Sequence, residues 1–192
     1  MSTASNRGSV RYSTIVVDPP WDYGRKTLNF KWRRGRPSGE GQPMLAYPSL
    51  SLQEIRSLPV GALAEEDAHL YLWTTQRFLR VSYEIAEDWG FTASVVLVWA
   101  KAPTGWNPSG GAYMNNVEFI LYARRGSLQP IRREKSQWWT WPRSSHSTKP
   151  EAFLDLVESV SPGPYLEMFA RRNRLGWDTW GNEALEHIEV MA

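Results

Sequence analysis

Short apolar runs of strand length, separated by segments with helical spacing, constrain this chain more than any other feature. Tyr12 to Val17 (YSTIVV), His69 to Thr74 (HLYLWT), Val95 to Trp99 (VVLVW), Glu118 to Ala123 (EFILYA) and Tyr165 to Ala170 (YLEMFA) are rich in β-branched and aromatic residues. Runs with no polar alternation suit strands buried on both faces of a sheet, Val95 to Trp99 above all. Between them, Phe78, Val81, Ile85 and Trp89 recur at helical spacing up to Gly90. Phe153, Leu154, Val157 and Val160 do so before Ser161-Pro162-Gly163-Pro164. Ser51-Leu52-Gln53-Glu54 is a capping box opening a short helix that Pro59 and Gly61 end, and Thr148-Lys149-Pro150-Glu151 repeats that pattern. Strands alternating with helices predict an α/β fold: a mostly parallel sheet with helices on both faces.

With 192 residues the chain is read as one domain, with a polar tail over 1–9. Residues 22–48 have no sustained period and form a long loop, a kind of segment that is usually functional. Six cations and no acid fall between Arg25 and Arg36: Arg25, Lys26, Lys31, Arg33, Arg34 and Arg36. Arg132, Arg133 and Lys135 form a second cluster, and Arg171, Arg172 and Arg174 a third. The net charge is only +2, so the pattern is one of local basic loops on a near-neutral body. Such loops suit a polyanion gripped over one face, and they equally suit solvated surface. Eleven tryptophans are many for this length. Most belong to the core, whereas Trp138 to Trp141 lie in loop context beside cations, where aromatic rings can stack on unpaired bases. The absence of cysteine excludes disulfides and thiolate metal sites, and three histidines make a histidine metal site unexpected. No apolar run approaches a membrane span and no secretory leader is seen, so a cytoplasmic location is expected.

The first strand stops at Asp18-Pro19-Pro20-Trp21, and in open α/β sheets ligands sit beyond the carboxyl ends of strands. The tetrapeptide has a logic for an aromatic amine, a poor nucleophile whose lone pair is drawn into its ring. The Asp18 carboxylate can accept one N–H and the Pro19 carbonyl the other, drawing the nitrogen toward tetrahedral geometry. Pro19 and Pro20 fix the backbone and remove competing donors, and Trp21 offers a flat face for a base. The same four residues also fit a turn closed by a core tryptophan. Lys149, read in the first turn of a capped helix, suits an anion, or simply a solvated helix start.

The tetrapeptide resembles the catalytic motif of the adenine-N6 methyltransferase family that includes the catalytic subunit of the eukaryotic messenger-RNA methyltransferase. Six further blocks match in family order: Tyr47 to Ser51, Leu70 to Thr74, Val98 to Lys101, Glu118 to Leu121, His146 to Pro150 and Glu167 to Arg171. Trp177, Gly181, Asn182 and Glu183 complete the series. The resemblance implies a Rossmann-like class I fold with a seven-stranded sheet, S-adenosylmethionine as cofactor and no metal. It implies catalysis at Asp18, Pro19, Pro20 and Trp21. Lys149 would hold the cofactor's carboxylate and Asp18 its ammonium, with Glu167 nearby. Phe169, Arg171 and Asn173 would follow at the adenosine, with Asn182 and Glu183 on its ribose hydroxyls and ring. Arg172-Asn173 stand where eukaryotic members carry Pro-His, and Glu183 where glutamine is common. The zinc fingers of those members have no counterpart, so the chain looks more like bacterial and phage members, whose expected substrate is DNA. RNA, cytosine N4, a small molecule or protein, and a non-catalytic nucleic-acid-binding subunit are the alternatives. A homodimer or a partner subunit is also expected, and His146 is a minor candidate.

Overall fold

The computed structural model describes residues 10–24, 49–101, 113, 115–142 and 149–180. The cations from Arg25 to Arg36, together with His146, Thr148, Asn182 and Glu183, lie outside the described residues. The elements are β1 (Tyr12–Val17), α1 (Leu52–Arg56), α2 (Val60–Leu63), β2 (Ala64–Thr74), α3 (Leu79–Asp88), β3 (Thr92–Ala100) and β4 (Val117–Arg125), followed by β5 (Trp138–Trp139), α4 (Glu151–Val160), β6 (Tyr165–Met168) and β7 (Trp177–Trp180). The strands form one seven-stranded sheet in the order β5-β3-β4-β2-β1-β6-β7. Every neighbouring pair is parallel except the two made by β4, which alone runs the other way. The expected Rossmann-like α/β fold, mostly parallel with helices on both faces, is the one observed.

Period-two alternation explains why the central apolar runs lack a regular apolar–polar pattern. Ile15 and Val17 of β1 and Leu70 and Leu72 of β2 point into one core with Ile55 of α1, Val60 of α2 and Ile85 of α3. The intervening Val16, Tyr71 and Trp73 point into the opposite core with Phe153, Leu154 and Val157 of α4. Both faces of the central strands are therefore buried, and each side chain removed from water stabilises the sheet by roughly 1.5–3 kcal/mol.

Several details differ from the sequence reading. Val95, Val96 and Val98 are only partly buried, because β3 is flanked on one side by the two-residue β5 and lies near the sheet edge. The Trp138-Trp139 pair supplies that edge strand. The first capping box is present, with Ser51 and Glu54 exchanging side-chain and backbone hydrogen bonds. Gly61 falls inside α2 rather than beyond a helix. α4 starts at Glu151 with Pro150 as a cap that makes no side-chain hydrogen bond, and Thr148 of the second capping box lies outside the described residues. Lys149 therefore precedes the helix instead of occupying its first turn. Among the described residues no helix is long and apolar enough to cross a membrane.

Candidate active site

From β1 the chain reaches β2 on one side, and only later does β6 add on the other. The carboxyl ends of β1 and β6 thus flank the point where the strand order reverses, the usual crevice for ligands in such sheets. Asp18 follows β1 directly, its N–H donating to the Met168 carbonyl at the end of β6 (3.4 Å). Pro19 is buried, and its carbonyl accepts the Trp21 N–H (2.9 Å). The Pro20 carbonyl accepts the Leu50 N–H (2.8 Å). A carbonyl has two lone pairs, so that of Pro19 keeps capacity for a second donor. Downstream, the Arg77 guanidinium donates to the Tyr23 carbonyl (2.7 Å), fixing the exit of the motif to the loop after β2.

Trp21 corrects one expectation. Its ring is 6 % exposed and stacks on Phe78 with centroids 4.8 Å apart. Its indole N–H donates to the Trp73 carbonyl (3.1 Å). It closes the turn from the core and is not an open platform for a base.

A row of charges runs along this edge of the sheet. Lys149 Nζ lies 2.8 Å from Asp18 Oδ2 and 3.3 Å from Glu118 Oε2. Glu118 Oε1 in turn pairs with Lys101. Glu118 reaches the edge because β4 is reversed: its first residues meet the last residues of β3, with Glu118 opposite Trp99. Lys149 sits 4.9 Å above the Trp73 ring and Lys101 4.7 Å from that of Trp99, each a cation on an aromatic face. Burial pushes the Glu118 carboxyl up, yet Lys149 and Lys101 outweigh it and hold it below the usual range. Burial likewise lowers Lys149, but Asp18 and Glu118 prevail and its pKa is raised. Lys101 and Glu118 carry no role in the sequence reading, because only cross-strand register brings them together.

Glu167 behaves differently. It lies on β6 opposite Val16, and its Oε2 is buried without a hydrogen-bond partner among the described residues. Burial, reinforced by the Asp18 charge, pushes its pKa up to about 7 against the opposing pull of Arg172, Arg174 and Lys149. An orphaned buried carboxylate beside Asp18 is an open demand for a cation or donor.

After β6, Phe169 adopts φ 64°, a left-handed conformation uncommon for an aromatic residue, with its N–H on the Trp180 carbonyl (2.5 Å). The bend carries Ala170, Arg171 and exposed Asn173 past the end of the sheet. The third basic cluster is partly structural. Arg172 pairs with Glu151 (3.1 Å) and donates to the Lys149 carbonyl (3.3 Å), tying that loop to the start of α4. Arg174 grips Glu158 through two nitrogens, both at 2.9 Å, and Asp155 at 2.6 Å. Neither side chain is spare for a phosphate.

Residues 12–183 match the MT-A70 family model. The chain belongs to the MT-A70 family. It is similar to the type II methyltransferase M.MunI of Mycoplasma sp., with 34% identity over 193 residues, 94% of this chain and 81% of that protein. It is also similar to the mouse N(6)-adenine-specific methyltransferase METTL4, 26% identical over 91% of this chain and 38% of the relative. The catalytic subunit METTL3 of a human N(6)-adenosine-methyltransferase is 25% identical over 94% of this chain and 29% of the relative. The chain thus spans most of M.MunI but little more than a third, or less, of these two mammalian relatives.

Proposed function

We propose that this MT-A70 protein is an S-adenosylmethionine-dependent methyltransferase acting on the N6 amine of adenine in nucleic acid, with DNA as its substrate. The observation that carries the reading is Asp18 at the switch point of the sheet, one carboxylate oxygen held on Lys149 and the Pro19 carbonyl one residue away. Asp18 Oδ1 makes no hydrogen bond to a described residue, so it is available to accept an amine N–H. Lys149 fixes the carboxylate's orientation beforehand, so little reorganisation is needed when charge develops on the nitrogen. With Asp18 on one N–H and Pro19 on the other, the amine is turned so that its lone pair faces away from both acceptors. Positioning of this kind supplies much of the rate in a transfer between two bound groups.

The residues fit the cofactor. The acidic pair Asp18 and Glu167, with an orphaned oxygen, complements an ammonium group, and Lys149 complements a carboxylate. Phe169, Arg171, Asn173, Asn182 and Glu183 are the proposed contacts to its adenosine. When bound, the cofactor supplies an electrophilic methyl group on a sulfonium. The basic loop from Arg25 to Arg36 is proposed to hold phosphates, and in duplex DNA the target base must leave the stack, at about a few kcal/mol.

DNA is favoured because M.MunI is a type II methyltransferase matched over most of its length. RNA is the second reading, supported by the adenosine methyltransferases among the relatives. The word "subunit" in the METTL3 name supports a partner chain. Calorimetric titration with S-adenosylmethionine tests the site. Lys149→Ala is expected to weaken binding at least tenfold, and an unchanged dissociation constant would contradict the assignment.

A further inference from the structure

A second concavity lies on the α4 face of the sheet, away from the charged row. It has a volume of about 420 Å³, within the range of small-ligand sites. Its floor is formed by Tyr71 of β2, Val95 and Leu97 of β3 and Tyr122 of β4; Leu156 and Val160 of α4 wall one side. The opposite wall is the loop from Pro130 to Gln137 and Trp139 of β5. Tyr122 lies four residues along β4 from Glu118, about 13 Å at the usual strand rise, so the cavity is separate from the site at Asp18. It arises because α4 is the one described helix packed on this face, leaving the β3–β4 half of the sheet to a loop.

The rim of this cavity is cationic by construction. Glu134, the acid among its lining residues, is spent inside the loop: Oε1 accepts the N–H groups of Lys135 (2.7 Å) and Ser136 (3.3 Å), and Oε2 pairs with Arg132 (2.9 Å). Arg132 also donates to the Ser159 hydroxyl of α4 (3.0 Å), closing the loop onto the helix. Arg133 and Lys135 are exposed and make no side-chain ion pair with a described residue, which leaves two cations at the mouth. Below them the floor is aromatic and apolar. Tyr71 is already engaged by the Ser161 hydroxyl (2.7 Å), whereas the Tyr122 hydroxyl makes no hydrogen bond to a described residue. A flat, largely apolar body with one anionic end and an edge that can hydrogen-bond satisfies all of these groups together.

We infer that this cavity binds a nucleotide, its base between the Tyr122 floor and the Trp139 wall and its phosphate at Arg133 and Lys135. Free nucleotide and an unpaired nucleotide of a bound strand share this chemistry. The inference does not depend on the reaction proposed for Asp18.

The test is calorimetry of the full chain with deoxyadenosine monophosphate, deoxyadenosine and pentathymidylate, the cofactor crevice being saturated with S-adenosylhomocysteine. Deoxyadenosine monophosphate is expected to bind at least tenfold more tightly than deoxyadenosine. The Arg133→Glu/Lys135→Glu variant should lose at least tenfold. Leu156→Trp, which fills the cavity from α4, should weaken binding of both at least tenfold. Tighter, charge-dependent binding of pentathymidylate would identify the ligand as part of a strand; its absence, with the mononucleotide retained, would identify free nucleotide. Binding unchanged by the double charge reversal, or none at millimolar nucleotide, would overturn the inference.

Discussion

Replacing Lys149 by methionine tests whether the charged row is an interdependent unit. The side chain is 21% exposed and serves two carboxylates, at 2.8 and 3.3 Å. Removing one member of a buried ion pair typically costs about 3–5 kcal/mol, because the remaining charge stays desolvated. Here Glu118 keeps Lys101, and water reaches part of the site, so the cost falls to the lower end of that range or just below it: about 2–3 kcal/mol for Lys149→Met at pH 7. With a urea m-value of about 2 kcal/mol/M, the unfolding midpoint should fall by about 1–1.5 M. The effect has a defined pH sign. In the native protein Glu118 is held below its ordinary value of 4.5, so its stabilisation is present above that pH and fades as pH falls through the folded value. The difference between wild type and Lys149→Met should therefore be widest above the ordinary carboxylate range and close as pH falls through the lowered folded value. Adding Asp18→Asn to the variant should recover part of the loss at neutral pH. A difference under about 0.5 kcal/mol at pH 7, or one that widens on acidification, would refute the reasoning.

Glu167 predicts the opposite pH trend. A rise from 4.5 to about 7 costs roughly 3 kcal/mol of stability once the group is ionised, since the native state binds the proton more tightly than the unfolded one. Glu167→Gln should thus be neutral or destabilising at pH 4.5 and increasingly stabilising up to pH 7 and beyond; urea midpoints that track wild type across this range would count against it. Ser161→Ala strips a shared partner from buried His69 and Tyr71, both 2.7 Å from the hydroxyl, and should cost about 2–3 kcal/mol in thermal or urea unfolding. Ser51→Ala removes the cap of α1 and should cost about 1 kcal/mol, with no change in cofactor affinity by calorimetry.

The central strands were legible because burial on both faces leaves a continuous apolar signature, as in Tyr12 to Val17 and Leu70 to Trp73. α3 was legible from its spacing and its stop at Gly90. What periodicity misses is whatever depends on partners distant in sequence. The two-residue β5 carries no periodic signal and exists through its pairing with Val98 and Trp99. The reversal of β4 is invisible in its composition, yet it alone delivers Glu118 to the charged row beside Asp18. Asp18 could be singled out because proline must end a strand, placing an acid where ligands bind. Trp21 could not be assigned from type alone, since a ring for a base and a ring for the core are the same residue. Its stacking on Phe78 resolves that. The cations at Arg172 and Arg174 looked available in sequence, and their acids on α4 lie 16 to 21 residues away along the chain.

The most direct test of the proposed activity is methyl transfer from labelled S-adenosylmethionine to unmethylated duplex DNA, single-stranded DNA and RNA. The products would be digested to nucleosides and identified by mass. The account predicts N6-methyldeoxyadenosine from DNA with the wild-type chain and none from an Asp18→Ala variant that retains the wild-type unfolding transition. No methylated adenine from any substrate, or an undiminished rate in Asp18→Ala, would contradict it.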